Sequence, residues 1–183
     1  MKHHEDMPFS YLVKVGHISS NPVTVTIDAS AAECKALARQ WDILGVNSFS
    51  AEFEVKRWKK DGVRLKGRVR ADIVQTCVVT LEPMEAKIDE PIDAIFVPEG
   101  SKLARGPILE GGEILLDPDG PDSPETFQGD TIDAGAVAAE YAAMAIDPYP
   151  RKEGVAFSAH VESTEADEAK PSPFAALKDW KKT

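Results

Sequence analysis

The sequence predicts an α+β fold, a mostly antiparallel sheet covered by two main helices. The observations behind this are two runs of alternating apolar and polar residues that form a hairpin, and two helical segments with capping residues at their starts. With 183 residues and 43% hydrophobic content, the chain can bury one sizeable core. The pattern leaves open whether the sheet curls into a barrel. We expect one domain over 1–152 and a flexible acidic tail over 153–183.

Two short strands and a capped helix come first. Phe9 to Ile18 and Val23 to Ile27 have the β-branched and apolar content of strands. Ser30 can cap the helix that follows, and Glu33, three residues on, completes a capping box. We expect the apolar face of this helix to pack on the sheet. That face consists of Cys34, Leu37, Ala38 and Trp41, and Gly45 lies beyond the helix end.

The central hairpin joins two half-buried strands, 49–56 and 63–73, in which apolar and polar residues alternate. A two-residue turn at Asp61-Gly62 would place polar residues opposite apolar ones. A three-residue loop, Lys60 to Gly62 with Gly62 left-handed, sets apolar opposite apolar and is therefore favoured. The predicted cross-strand pairs are 53 with 69, 59 with 63, Glu54 with Arg68, Glu52 with Arg70, and Trp58 with Arg64.

The net charge of -10 is unevenly distributed. Residues 56–70 carry eight basic residues and one acid, a local balance of +7, whereas 82–133 carry fourteen acids and three bases. Basic side chains on a sheet face can hold phosphate, and a tryptophan among them can stack on a base. The competing interpretation is a solvated face whose arginines are neutralised by Glu52 and Glu54. The candidate RNA-binding residues are Lys56, Trp58, Arg64, Lys66, Arg68 and Arg70.

Beyond Pro83 the chain forms one more long strand and then a loop. Residues 86–97 predict a strand, with Pro91 at an edge or a bulge. Residues 98–128 are rich in Gly, Pro and Asp, which predicts a long acidic loop with one short strand at Ile114 to Leu116. The acidic loop is thus a candidate surface for a basic protein.

A second helix and a tail complete the chain. Asp133 caps the helix and Asp147-Pro148 ends it. Its apolar stripe is predicted to contain Val137, Tyr141 and Met144. The span 153–171 predicts a disordered tether. It leads to a short amphipathic segment that can dock on a partner or fold back on its own core through Phe174, Leu177 and Trp180.

No residue set points to catalysis or to a metal. Cys34, Cys77, His17 and His160 lack the spacing of metal ligands, and both cysteines are expected to stay free. No motif selects a histidine partner for Cys77. We therefore expect no enzymatic activity and no cofactor. The sequence has no apolar run long enough to span a bilayer and no signal-peptide pattern, so we expect a cytoplasmic protein without a membrane partner.

Three short motifs carry a resemblance to a known family. They are Cys77, Leu81, Glu82 and Pro83; Gly129, Asp130, Ile132 and Asp133; and Pro148, Tyr149, Pro150 and Arg151. In order and spacing they resemble the YceD family of large ribosomal RNA subunit accumulation proteins, in the branch without the cysteine-rich C-terminal segment. The resemblance runs from roughly residue 9 to residue 178.

The resemblance implies a role in accumulation of large-subunit ribosomal RNA and in biogenesis of the large subunit, without an established enzymatic activity. Many relatives carry a second cysteine three residues after the first, and a cysteine-rich end that looks capable of holding zinc. Here Thr80 stands at the second position and Pro148 to Arg151 stand where that end would begin. Zinc is therefore not predicted for this chain.

The leading hypothesis is a non-enzymatic binding factor. Its partner would be large-subunit ribosomal RNA or a pre-ribosomal particle, contacted by the basic hairpin, or a basic ribosomal or assembly protein, contacted by the acidic loop. No small-molecule substrate is expected. Two alternatives remain open: a protein-binding adaptor unrelated to ribosomes, and a hydrolase centred on Cys77.

Overall fold

A computed structural model describes residues 9–16, 18, 21–104 and 123–156. The chain divides into the units Met1–Lys152 and Glu153–Thr183, and every helix and strand described belongs to the first unit. The predicted strand at Ile114 to Leu116 and the predicted docking residues Phe174, Leu177 and Trp180 lie outside the described residues. The elements are β1 Leu12–Lys14, β2 Val23–Asp28, α1 Ala31–Gln40, β3 Gly45–Trp58, β4 Gly62–Thr76, β5 Pro83–Pro98, a 3-10 turn Lys102–Ala104, β6 Glu125–Phe127, β7 Thr131–Asp133 and α2 Ala134–Met144.

Five of these strands form one sheet in the order β2-β3-β4-β5-β6. The first three pairings are antiparallel, and β5 pairs with β6 in parallel. β1 and β7 form a separate antiparallel ladder. The α+β prediction with a mostly antiparallel sheet is confirmed. Within the described residues the sheet is open, with β2 and β6 at its edges, so the barrel alternative is not found there.

One face of the sheet forms the core together with both helices. Phe53, Val55, Leu65 and Val69 are completely buried on this face. Helix α1 contacts β3, and α2 contacts β4 and β5. The opposite face of the long strands carries the charged residues and is open to solvent. The fold therefore has one apolar layer and one charged layer, as the alternation predicted.

Helix α1 begins as predicted. Ser30 accepts a hydrogen bond from the Glu33 backbone N–H, and the Glu33 carboxylate accepts one from the Ser30 backbone N–H at 2.7 Å. At the other end Asp42 is left-handed with φ 52, and Ile43 N donates to the Ala38 carbonyl at 3.1 Å. Asp42 therefore closes the helix in the position where glycine is commonest. Gly45, expected beyond the helix end, is the first residue of β3.

The β3–β4 hairpin differs from its predicted register by two residues. Its loop is 59–61, and Trp58 pairs with Gly62. Lys59 is the left-handed residue of the loop, with φ 51, so the prediction of a left-handed Gly62 is wrong. The predicted charge pairs are wrong as well. The observed pairs are Ser50 with Arg70, Glu52 with Arg68, Glu54 with Lys66, and Lys56 with Arg64.

The physical reason for the observed register is side-chain volume. Phe53 faces Gly67 rather than Val69, so the largest side chain of the strand lies opposite the smallest. A Cβ atom on Gly67 would lie 2.0 Å from the Glu52 carbonyl oxygen, so only glycine allows this close approach. A shift of two residues keeps apolar opposite apolar. Alternation alone therefore could not detect it.

The predictions for β5 and for the start of α2 hold, but three others differ. The first strand covers only Leu12–Lys14 of the predicted 9–18, β6 lies in the predicted loop, and α2 ends at Met144 rather than at Asp147-Pro148. Pro91 lies on β5 where β4 is the paired neighbour and β6 does not reach, which fits the predicted edge position. Asp133 caps α2 through a hydrogen bond from Ala136 N at 3.0 Å. Met144, predicted in the apolar stripe, is 74% exposed because small residues form the packing face. The buried residues of α2 are Ala134, Gly135, Val137, Ala138, Ala139 and Ala142.

Candidate functional site

The turn between β4 and β5 contains the first family motif. It begins at Cys77, whose backbone N–H donates to the Glu82 carbonyl at 2.9 Å. Leu81 N donates to the Cys77 carbonyl at 2.9 Å, and Leu81 itself is left-handed with φ 59. Pro83 then pairs with Thr76 at the start of β5. The motif thus builds a compact closed turn.

The segment after α2 binds this turn and brings the third motif to it. Val78 N donates to the Pro150 carbonyl at 2.9 Å. The Gln75 amide donates to the Asp147 carbonyl at 2.9 Å. These bonds join segments that are 72 residues apart in the chain. The first and third motifs therefore form one structural unit, which we name the Cys77 knot (residues 75–83 and 147–152).

Lys152 makes two hydrogen bonds that stabilise the Cys77 knot. Its backbone N–H donates to Cys77 Sγ at 3.5 Å. Its ammonium group donates to Glu82 Oε2 at 2.7 Å, and this contact lowers the pKa of Glu82. No sequence signal singled out Lys152, because its partners lie some 70 residues away.

The sulfur of Cys77 is completely buried and accepts several hydrogen bonds. The Thr80 hydroxyl, the Thr80 backbone N–H and the Lys152 backbone N–H lower the pKa of this thiol from 9.0 to about 6, and burial offsets them only in part. Hydrogen bonds to the charged form favour ionisation. These hydrogen bonds therefore favour the thiolate form of Cys77 and close the turn.

The second motif has a different place and holds the N-terminal segment. Asp133 Oδ1 accepts from Tyr11 N at 2.9 Å and Oδ2 accepts from the Ser10 hydroxyl at 2.6 Å. Val15 N donates to the Asp130 carbonyl at 2.7 Å. Gly129 is left-handed and Ile132 is buried. Helix α2, about 16 Å long, separates this motif from the third.

Four basic residues of the hairpin lie in a row on β4, on the charged face, namely Arg64, Lys66, Arg68 and Arg70. Arg64 Nε and Nη2 lie 2.6 and 2.5 Å from the two carboxylate oxygens of Asp93. Arg68 Nη1 lies 2.9 Å from Asp89, and Arg70 Nε lies 3.5 Å from the same carboxylate. The hydrogen bonds from Arg64 and Arg68 lower the pKa of Asp93 and of Asp89.

Acids of β5 therefore neutralise this row, and the expected role of Glu52 and Glu54 is wrong. Within the described residues, Glu54 has a 4.0 Å contact with Lys56 and Glu52 has no ion pair. Because β4 lies between β3 and β5, acids on either neighbouring strand can neutralise its basic side chains. The local charge of +7 in the sequence does not produce a uniformly positive surface.

Trp58 stands at the tip of the hairpin and is partly covered. The Lys59 ammonium lies 4.2 Å from the centre of its ring, and the ring approaches Gly62 so closely that a Cβ there would lie 2.7 Å from Cε3. Lys56 and Lys66 lie on the same face of the hairpin. The structure thus places all six candidate residues on one face, but acids of β5 already bind three of the arginines.

A cleft of about 430 Å³ opens between β6, β7 and the first turns of α2. Its lining includes the apolar residues Phe96, Phe127 and Ile132 and the carboxylates of Glu125 and Glu140. Burial and the nearby charge of Glu140 raise the pKa of Glu125. The sequence indicated an acidic region here, but it could not indicate a cavity.

Comparison with known protein families gives a match. A family model described as "Large ribosomal RNA subunit accumulation protein YceD" matches residues 65–181. The chain belongs to the YceD family. The predicted family is thus confirmed, over a span that starts in β4 and contains all three motifs. The curated proteins include no match, and the solved structures include none.

The motif residues of this YceD-family chain are of two kinds, buried and exposed. Cys77, Ile132, Asp133 and Pro150 are buried and hold the fold together. Leu81 and Tyr149 are 76% and 70% exposed. The remaining motif residues, Glu82, Pro83, Gly129, Asp130, Pro148 and Arg151, are also exposed. The resemblance identified the motif positions, and the structure shows which of them stabilise the Cys77 knot.

The Cys77 knot does not fit a zinc ion. Cys77 supplies one sulfur there, and the chain's other cysteine, Cys34, lies on α1. Thr80, at the position of the second cysteine in relatives, donates its hydroxyl hydrogen bond to Cys77 instead. Among the described residues no group of three or more His, Cys, Asp and Glu side chains could hold a metal ion. His17 and His160 lie outside the described residues.

Helices long and apolar enough to cross a bilayer are absent from the part of the chain that the structure describes.

Proposed function

We propose that this YceD-family chain supports accumulation of large-subunit ribosomal RNA as a non-enzymatic binding factor in the cytoplasm. The observation that carries the proposal is the family match over residues 65–181, whose description names this process. The buried position of Cys77 supports binding over catalysis, since a nucleophile must reach its substrate. The hydrolase alternative therefore has little support from the geometry of the Cys77 knot.

Between the two modes of contact, the charge arrangement favours a protein partner. Arg64, Arg68 and Arg70 already contact carboxylates of β5, and RNA phosphates would have to displace them. The acidic cleft has no such internal partner among the described residues. A basic ribosomal or assembly protein therefore fits the described surface better than RNA does. RNA contact through Lys56 and Lys66 is the second candidate. Among the described residues, neither side chain forms an ion pair with a carboxylate of β5, and the Lys56 ammonium lies 4.0 Å from Glu54 on its own strand.

Purification of the tagged chain from its own cells tests the proposal. We expect large-subunit ribosomal proteins, assembly factors or precursor particles to co-purify at low salt and to be reduced at moderate salt. Charge reversal at Arg64, Lys66 and Arg68 separates the two modes. Enrichment that persists in this variant supports protein contact, and enrichment that is lost supports RNA contact. Absence of every ribosomal component would support the adaptor alternative.

A further inference from the structure

We infer that the cleft between β6, β7 and α2 binds a lysine- or arginine-rich segment of a protein, with a cationic side chain between Glu125 and Glu140. This inference deepens the proposed function, and it rests on that function for the partner's place in large-subunit assembly.

The shape and lining of the cleft suit a long cationic side chain. Its volume of about 430 Å³ lies within the range of about 300–1,000 Å³ that is typical of binding sites. Its lining combines apolar side chains with carboxylates, which are Phe96, Phe127, Ile132 and Val137, and Glu99, Glu125, Asp133 and Glu140. Lysine and arginine have an apolar stem and a charged head. The stem would cover the apolar side chains while the head meets the carboxylates.

Three carboxylates of the cleft lack a cation within the described residues. None of Glu99, Glu125 and Glu140 forms an ion pair there, whereas Arg64 and Arg68 bind the acids of the charged sheet face. Burial first, and then the nearby charge of Glu140, raise the pKa of Glu125, so these two carboxylates of the cleft repel one another. A bound cation would relieve this repulsion. Because no cation among the described residues contacts these carboxylates, the cleft can attract one from a partner.

The charge of the neighbouring sequence points to the same class of partner. Residues 106–122, which precede β6 in the chain, contain five acids and no base. Such a concentration of one sign attracts partners of the opposite sign and repels nucleic acid. A basic protein segment satisfies this condition, and a phosphate ligand does not.

A peptide-binding experiment with the full chain tests the inference. The probe is a short fluorescent peptide in which arginine and alanine alternate, and a glutamate–alanine peptide is its control. Fluorescence anisotropy compares wild type with Glu125→Gln/Glu140→Gln. The matched control is Glu52→Gln/Glu85→Gln, which removes the same charge from exposed positions outside the cleft. We expect the cleft variant to bind about tenfold more weakly and the control variant to stay within about twofold of wild type.

Ala136→Arg provides a second variant that keeps both carboxylates. Ala136 lines the cleft, so the new side chain would place a cation in the cleft. We expect this variant to fold and to lose peptide binding. Equal affinities in wild type, the cleft variant and Ala136→Arg would overturn the inference. Displacement of the peptide by equimolar spermidine would also overturn it, because the site would then take small cations.

Failure of the cleft inference can be distinguished from failure of the proposed function. If peptide binding depends on the cleft but loss of the chain leaves ribosomal RNA unchanged, the cleft inference holds and the proposed function is wrong. If loss of the chain reduces large-subunit ribosomal RNA while the cleft variants bind peptide like wild type, the function holds and the cleft inference is wrong.

Discussion

Lys152 donates its backbone N–H to Cys77 Sγ across a separation of 75 residues. This bond joins the segment that follows α2 to the turn between β4 and β5. The same residue binds Glu82 through its ammonium group. The Cys77 knot therefore links the β4–β5 turn to the segment after α2, and both lie within the family-matched region.

Cys77→Ala is expected to destabilise the protein more than Cys34→Ala. Both thiols are buried, but the Cys77 sulfur accepts hydrogen bonds from Thr80 and Lys152, and its loss leaves these donors unsatisfied. Cys34 donates only a long contact of 3.9 Å to Ala29. Urea unfolding followed by tryptophan fluorescence compares the midpoints. Equal midpoints for the two variants would show that the bonds to Cys77 contribute nothing.

The lowered pKa of Cys77 is expected to make stability depend on pH. Its pKa in the folded protein, about 6, lies below the ordinary value of 9.0, so its contribution is fully present above pH 9 and is lost as pH falls through about 6. We expect the difference in unfolding free energy between wild type and Cys77→Ala to grow from pH 6 to pH 9. Thiolate absorbance of Cys34→Ala supplies the independent check. A midpoint near 9 would contradict the geometry of the turn.

Asp133→Ala is expected to cost about 2 kcal/mol or more of unfolding free energy. The carboxylate caps α2 and also accepts hydrogen bonds from Ser10 and Tyr11. Ser30→Ala at the exposed cap of α1 is the matched control, with an expected cost of about 1 kcal/mol. Chemical denaturation of both variants gives the comparison. A smaller effect at Asp133 than at Ser30 would mean that the N-terminal strand is not held by this carboxylate.

Gly67→Ala tests the register of the central hairpin. The added methyl group would meet the Glu52 carbonyl oxygen at 2.0 Å, and such overpacking costs about 1–3 kcal/mol. Gly45→Ala on the paired strand is the control, since its nearest contact would be an ordinary 3.9 Å. Thermal denaturation distinguishes the two variants. If Gly67→Ala were as stable as Gly45→Ala, the strands would be paired differently.

The sequence predicted those features that depend on neighbours in the chain. The capping box of Ser30 and Glu33, the cap at Asp133 and the edge position of Pro91 all follow from local chemistry, and each is confirmed. The family followed from three short motifs and is also confirmed. Local patterns also predicted the face of each central strand that is buried.

Features that depend on distant partners could not be predicted. The arginines of β4 bind acids of β5, and nothing in the alternation of either strand fixes their relative register. Lys152 and Cys77 meet only because α2 returns the chain to the sheet. The parallel strand β6 is short and lies in a region predicted as loop. In each case a contact between distant segments determined the result.

The proposed role is tested by the ratio of large-subunit to small-subunit ribosomal RNA. It would be measured in cells that lack this chain and in the same cells supplied with wild type or with Cys77→Ser. We expect a lowered ratio without the chain, and recovery with both forms to the extent that each is folded. An unchanged ratio without the chain would contradict the proposed role. Failure of a folded Cys77→Ser variant to restore the ratio would contradict its non-enzymatic character.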